Sequence, residues 1–139
     1  MKMKKTLYVN IILVILLPSF ALCQSKTQKD TINYICRRWV VDSIEVIEMN
    51  RRFAPPAEIK NNYTDYKING TFEGEDDGIK VTGKWKYDSE NIGIINYDMD
   101  NPKLKGEILF SIKEISDKCL AITSLQMSGN QIILRYKPK

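Results

Sequence analysis

The chain is expected to be all-β, an eight-stranded antiparallel up-and-down barrel, with a two-sheet β-sandwich as the alternative arrangement of the same strands. Three observations lead there. Beyond Ile35 no long stretch repeats its apolar residues with a helical period. Short runs rich in Ile, Val, Tyr, Trp and Thr instead alternate with clusters of Asn, Asp, Gly and Ser. The dipeptides Asn69-Gly70 and Asp77-Gly78 fall between alternating segments, where hairpin turns belong.

The first residues stand apart from this pattern. Lys2, Lys4 and Lys5 form a basic start, Leu7 to Leu17 is apolar apart from Asn10, and Pro18 precedes the small-residue segment "SFALCQSK". That three-region layout is a secretory signal peptide, expected to end at residue 23. The apolar run with its proline is short of the ~20 residues a membrane span needs. Ala21 and Cys23 fit the −3 and −1 positions of an ordinary cleavage site, so soluble export, periplasmic or secreted, is the expectation. Lipidation of Cys23, leaving a membrane-anchored envelope protein, is the alternative. Residues 24–34 are expected to be a flexible segment and 35–138 the barrel domain. Cleavage removes three lysines and no acid, so the net charge falls from +4 to +1. The pairs Arg37-Arg38 and Arg51-Arg52 are isolated and make no basic stripe, which argues against nucleic acid as a partner.

Eight strands follow in order: Trp39–Ile47, Tyr63–Lys67, Thr71–Asp76, Ile79–Tyr87, Asn91–Tyr97, Gly106–Ile115, Cys119–Leu125 and Gln131–Lys137. Most are joined by tight turns. The exception is the connection after the first strand, where Pro55-Pro56 excludes regular structure and Ala57–Lys60 has room for a short helix. A two-residue Asp77-Gly78 turn of type I′ pairs Asp76 with Ile79, Gly74 with Val81 and Phe72 with Gly83. Phe72, Val81, Trp85 and Tyr87 then share an apolar face, while Glu75 meets Lys80 on the wet one. One turn earlier, a two-residue Asn69-Gly70 turn would bury Lys67 opposite Phe72. A three-residue loop with a glycine bulge puts Tyr66 there instead, and a bulge costs far less than an unpaired buried lysine. Ile108, Phe110 and Ile112 share a face, as do Leu120 with Ile122, and Ile132 with Leu134 and Tyr136. Eight consecutive strands with one apolar face each are best satisfied by closure.

Chemistry leaves few marks on the chain. There is no histidine, which removes the commonest general base and every His-containing metal site. The glycines of "GTFEGEDDGIKVTGKWKYD" precede no helix, and their acidic residues lack the ligand spacing of a calcium loop. No metal or cofactor is expected, and no pair of carboxylates is placed for acid–base work. The expectation is a protein that is not an enzyme.

The order of several segments is similar to the small exported bacterial lipocalin-like proteins. They are "RRWVVDSIEV", "YKINGTFEG", "GKWKYD", "ILFSIKEISDKCLAIT" and "ILRYKPK", which together cover nearly all of Ile35 to Lys137. One departure is visible: Arg37 stands where lipocalins place a glycine two residues before the first-strand tryptophan. The resemblance implies a calyx able to hold a small apolar molecule, with Trp39 plugging the closed end beneath Arg135. On the residues alone, the parity of Arg135 against Leu134 and Tyr136 also allows it to face outward.

In such a barrel Cys36 and Cys119 lie at the same end, and an exported protein can oxidise them. The pair is a candidate disulfide if the segment before Trp39 crosses beneath the last strand; two independent buried thiols are the alternative. The expected function is an exported lipocalin-like binding module for a small hydrophobic molecule, a fatty acid or lipid-like compound. Tyr66, Phe72, Trp85, Tyr87 and Phe110 would line its site, and the Glu48–Asn62 connection would sit at the mouth. The competing reading is a ligand-free structural or protein-interaction barrel of the cell envelope, with those aromatic residues as core filling.

Overall fold

Among the described residues nine strands form one antiparallel sheet that closes on itself. They are Arg38–Val46 (β1), Arg51–Phe53 (β2), Tyr63–Tyr66 (β3), Thr71–Asp76 (β4), Ile79–Asp88 (β5), Gly93–Tyr97 (β6), Ile108–Ile115 (β7), Leu120–Ser124 (β8) and Ile132–Pro138 (β9). The structure is a computed structural model that describes residues 28–124 and 132–139. Neighbouring strands follow the chain from β3 to β9, and β1 pairs with both β3 and β9. This is a closed eight-stranded barrel, and β2 adds one short extra strand beside the second half of β1. Ile32–Lys139 form the compact unit that holds the barrel.

The hairpin registers follow the expected physics. Asp77 and Gly78 both have positive φ, 50° and 75°, as a type I′ turn requires, and Asp76 pairs with Ile79. Gly70, at φ 82°, carries the bulged loop that sets Tyr66 opposite Phe72. The Asn69 carboxamide oxygen accepts hydrogen bonds from the backbone N–H and the hydroxyl of Thr71, which fixes that loop.

Three local features differ from the sequence expectation. The connection after β1 is not wholly irregular, because β2 forms within it. Residues 57–60 make a single turn closed onto the Pro56 carbonyl rather than a helix. A helix covers residues 28–35, and its first seven residues, 28–34, fall in the segment expected to be flexible. The expected signal peptide, residues 1–23, and the outer ends of the last two expected strands, Leu125 and Gln131, lie outside the described residues.

Two bulges shape the barrel interior. In β1 the register shifts between Val41 and Ser43, so Asp42 is the extra residue. Trp39 and Val41 face inward before it; Ile44 and Val46 face inward after it, opposite Leu134 and Ile132. Glu45 is thereby turned out of the core. In β7 the shift between Ile112 and Glu114 does the same, turning Glu114 out and Ile115 in.

The core fills one end of the barrel. Ile35, Trp39 and Ile94 are fully buried, and Leu120 nearly so. Ile32 also packs against this cluster, so the chain segment just before β1 closes that end. Both indoles are satisfied there: Trp39 Nε1 donates to the Ile35 carbonyl at 3.0 Å, and Trp85 Nε1 donates to the Lys67 carbonyl at 2.8 Å. Tyr66 sits edge-on to Trp85 with ring centroids 5.3 Å apart.

Candidate functional site

The other end of the barrel is open and hollow. A cavity of about 370 Å³ extends inward from it. The mouth is set by three connections. Asn62, at the end of the β2–β3 connection, donates from its amide to Asp76 at 2.8 Å and accepts from the Asp77 backbone N–H at 3.1 Å. This ties the long connection to the β4–β5 hairpin. Leu104 and Met99 come from the β6–β7 connection, and Met99 approaches the bare backbone of Gly83.

The walls are mainly apolar. Ile44, Phe72, Ile108, Phe110 and Leu134 contribute side chains from four different strands. Polar groups are few. Glu75 and Asp76 stand at the mouth, and no Lys or Arg contributes to the lining among the described residues. Within the barrel the polar side chains of the lining include Asn96, Tyr136 and Thr64. Asn96 is 6% exposed; its amide donates to the Tyr66 hydroxyl at 3.4 Å, and its Oδ1 has no hydrogen-bond partner. Burial pushes the Tyr66 phenol up to about 12, with the Asn96 hydrogen bond acting weakly the other way. Burial likewise raises Tyr136. Both phenols stay protonated at neutral pH, so the site offers neutral hydrogen-bonding groups in an apolar wall.

Of the five residues expected to line a site, Phe72 and Phe110 do so. Tyr66 and Trp85 belong to the packed floor beneath, and Tyr87 packs against that floor, partly buried. Alternation gives the face of each residue but not its height in the barrel, which is why all five looked equivalent. Asn96 and Tyr136 were absent from the expected site. Asn96 had a signal: it lies two residues after inward-facing Ile94, an amide in an apolar row.

The expected plug needs correction. Arg135 does not stack on Trp39. It lies on the outer face opposite Ser43, and donates to Glu45 and to Glu114, each at 2.7 Å. Its inward neighbours Leu134 and Tyr136 leave it no other direction. The guanidinium over Trp39 is that of Arg37, 5.4 Å from the ring centroid, and Arg37 also donates to the Asp117 carbonyl at 2.9 Å. The side chain that departs from the lipocalin glycine thus supplies the cation itself.

Cys36 and Cys119 are free thiols, each partly buried. Burial raises both, so neither is poised as a thiolate. Among the described residues no group of three Cys, Asp or Glu side chains is positioned to hold a metal. A second depression, about 420 Å³, runs along Tyr97–Glu107. One connection alone walls it, so nothing opposes a ligand there.

The fold and site define a closed antiparallel β-barrel, packed at one end and hollow at the other. A crystal structure of a DUF4847 family protein from Bacteroides vulgatus is similar to it, with a TM-score of 0.51 and 11% sequence identity, covering 75% of this chain and 93% of that one. At that identity the likeness concerns the fold alone. No family model and no curated protein matches the chain.

Proposed function

We propose that the protein is an exported lipocalin-like barrel that carries a small hydrophobic, lipid-like molecule in its open end, as a binding protein and not as a catalyst. The observation that carries this reading is the cavity itself, about 370 Å³ and walled mainly by aliphatic and aromatic side chains. Pockets that bury small molecules run from roughly 300 to 1,000 Å³ and are apolar with a few convergent polar groups. Eight strands leave an interior that side chains can just fill or that holds one small ligand. Here the large aromatic residues Trp39, Tyr66 and Trp85 gather at one end, which leaves the other half for cargo.

Export and carriage are tested together by mass spectrometry of the protein recovered from its native host. The expected native spectrum shows a non-covalent increment of a few hundred daltons that denaturation removes. Bare polypeptide in both spectra would instead favour a structural or protein-interaction barrel of the envelope. The denaturing mass also reports processing. Loss of residues 1–23 is expected, and a covalent lipid on Cys23 would replace soluble export by a membrane anchor.

A further inference from the structure

We infer that the cavity selects an uncharged amphiphile bearing a hydroxyl group, taken in head-first, with the hydroxyl hydrogen-bonded to Asn96 and Tyr136. This rests on the carriage reading above and narrows it.

The inference begins with an unsatisfied atom. A buried polar atom without a partner carries the full cost of its lost hydration, and native proteins contain few of them. Asn96 Oδ1 is such an atom, on a side chain that lines the cavity. It accepts only, so the group that would satisfy it must donate. Tyr136 lines the same cavity. A phenol both donates and accepts. A ligand hydroxyl answers both demands at once, donating to Asn96 and accepting from Tyr136. It also serves if the amide turns over about its broad terminal torsion, since a hydroxyl can donate or accept.

Charge sets the rest of the preference. A carboxylate cannot donate to Asn96 Oδ1, and inside the barrel it would meet no cation, because the lining holds no Lys or Arg among the described residues. An unpaired buried ion is far costlier than an unpaired dipole. Turned the other way, with its head at the mouth, a carboxylate would face Glu75 and Asp76. An ammonium head would suit those two acids but would leave Asn96 and Tyr136 unanswered by any deep group. The neutral alcohol fits both halves of the cavity.

The test is calorimetric titration of decanol, decanoate and decylamine, each below its aggregation concentration, into the full exported protein at about pH 8, where the acid is ionised and the amine protonated. Decanol is expected to bind roughly tenfold or more tighter than either ion. Asn96→Leu, which replaces the unsatisfied amide with an apolar side chain of similar size, should bring decanol and decanoate to within about threefold of each other. Tyr136→Phe keeps the ring and removes only the hydroxyl, so it should narrow the same preference even if Asn96→Leu fails to fold. Equal affinity for decanol and decanoate, or an unchanged preference in Tyr136→Phe and a folded Asn96→Leu, would overturn the head-group inference while leaving carriage intact. Decylamine as the tightest ligand would overturn it in favour of selection by the mouth carboxylates. Binding of none of the three would overturn the carriage reading itself.

Discussion

Phe72 and Gly83 face each other across β4 and β5, and the phenyl ring lies where a side chain on Gly83 would be. A Cβ there would come within 2.8 Å of Phe72 Cε1 and 3.0 Å of the Tyr97 carbonyl oxygen. The ring can yield into the cavity; the backbone carbonyl cannot. The aromatic side chain covers backbone that the glycine leaves bare, and the glycine lets the ring lie flat against the wall. Gly83→Val is therefore expected to destabilise the barrel by about 1–3 kcal/mol, read as a lower denaturant midpoint at unchanged slope.

On the outer face, Arg135 joins β9 to Glu45 of β1 and Glu114 of β7 while only 13% of its side chain is exposed. Arg135→Met keeps the aliphatic stem and removes both charge-assisted hydrogen bonds, at an expected cost of about 2 kcal/mol at neutral pH. The hydrogen bond from Arg135 holds the Glu45 carboxyl below its ordinary value of 4.5. A lowered carboxylate contributes its stability above that ordinary value and loses it as pH falls through the lowered one. The melting temperatures of the wild type and Arg135→Met should accordingly converge as pH is taken below about 4.5, and a constant gap would place the effect in packing.

Arg37, not Arg135, is the cation over Trp39. In a Trp85→Phe background, Arg37→Ala should shift the remaining tryptophan emission and cost about 1 kcal/mol. Arg135→Met should leave that emission unchanged. The opposite pattern would restore the plug that the lipocalin resemblance implied.

Tyr66 provides a second, alkaline test. Burial raises its phenol to about 12, so the folded state holds the proton after an unfolded chain would release it. The stabilising contribution is whole below the ordinary value of 10 and is lost as pH rises through about 12. Stability should fall across that window, and Tyr66→Phe should flatten part of the fall.

These relationships were unequally legible in the sequence. Local alternation and turn chemistry carried the hairpins: the Asp77-Gly78 turn and the bulged Gly70 loop each set a register that the fold repeats. The β1 bulge was not visible to alternation, which run strictly from Trp39 places Ser43 and Glu45 inside. Only the cost of burying Glu45 hints that the strand must shift, and the shift is what delivers Ile44 to the cavity. Height was hidden for a different reason. The stagger of a closed barrel is a property of all its strands together. That stagger pairs Trp85 with Asn96, so Trp85 becomes floor while Phe110 becomes wall. β2 was missed because its three residues are all exposed and offer no apolar alternation. For Arg135 the family resemblance implied a stack on Trp39 while parity also allowed the outer face, and the fold takes the outer face.

The most direct measurement is a methyl-resolved NMR titration of the exported protein with decanol. The expected result is that shifts concentrate on Ile44, Ile108, Ile132 and Leu134, which wall the cavity, while Leu120 and Ile122 in the packed core barely move. Shifts confined to the exposed Ile47, Ile68 and Ile79, or none at saturating decanol, would contradict an interior site and leave the barrel without a cargo.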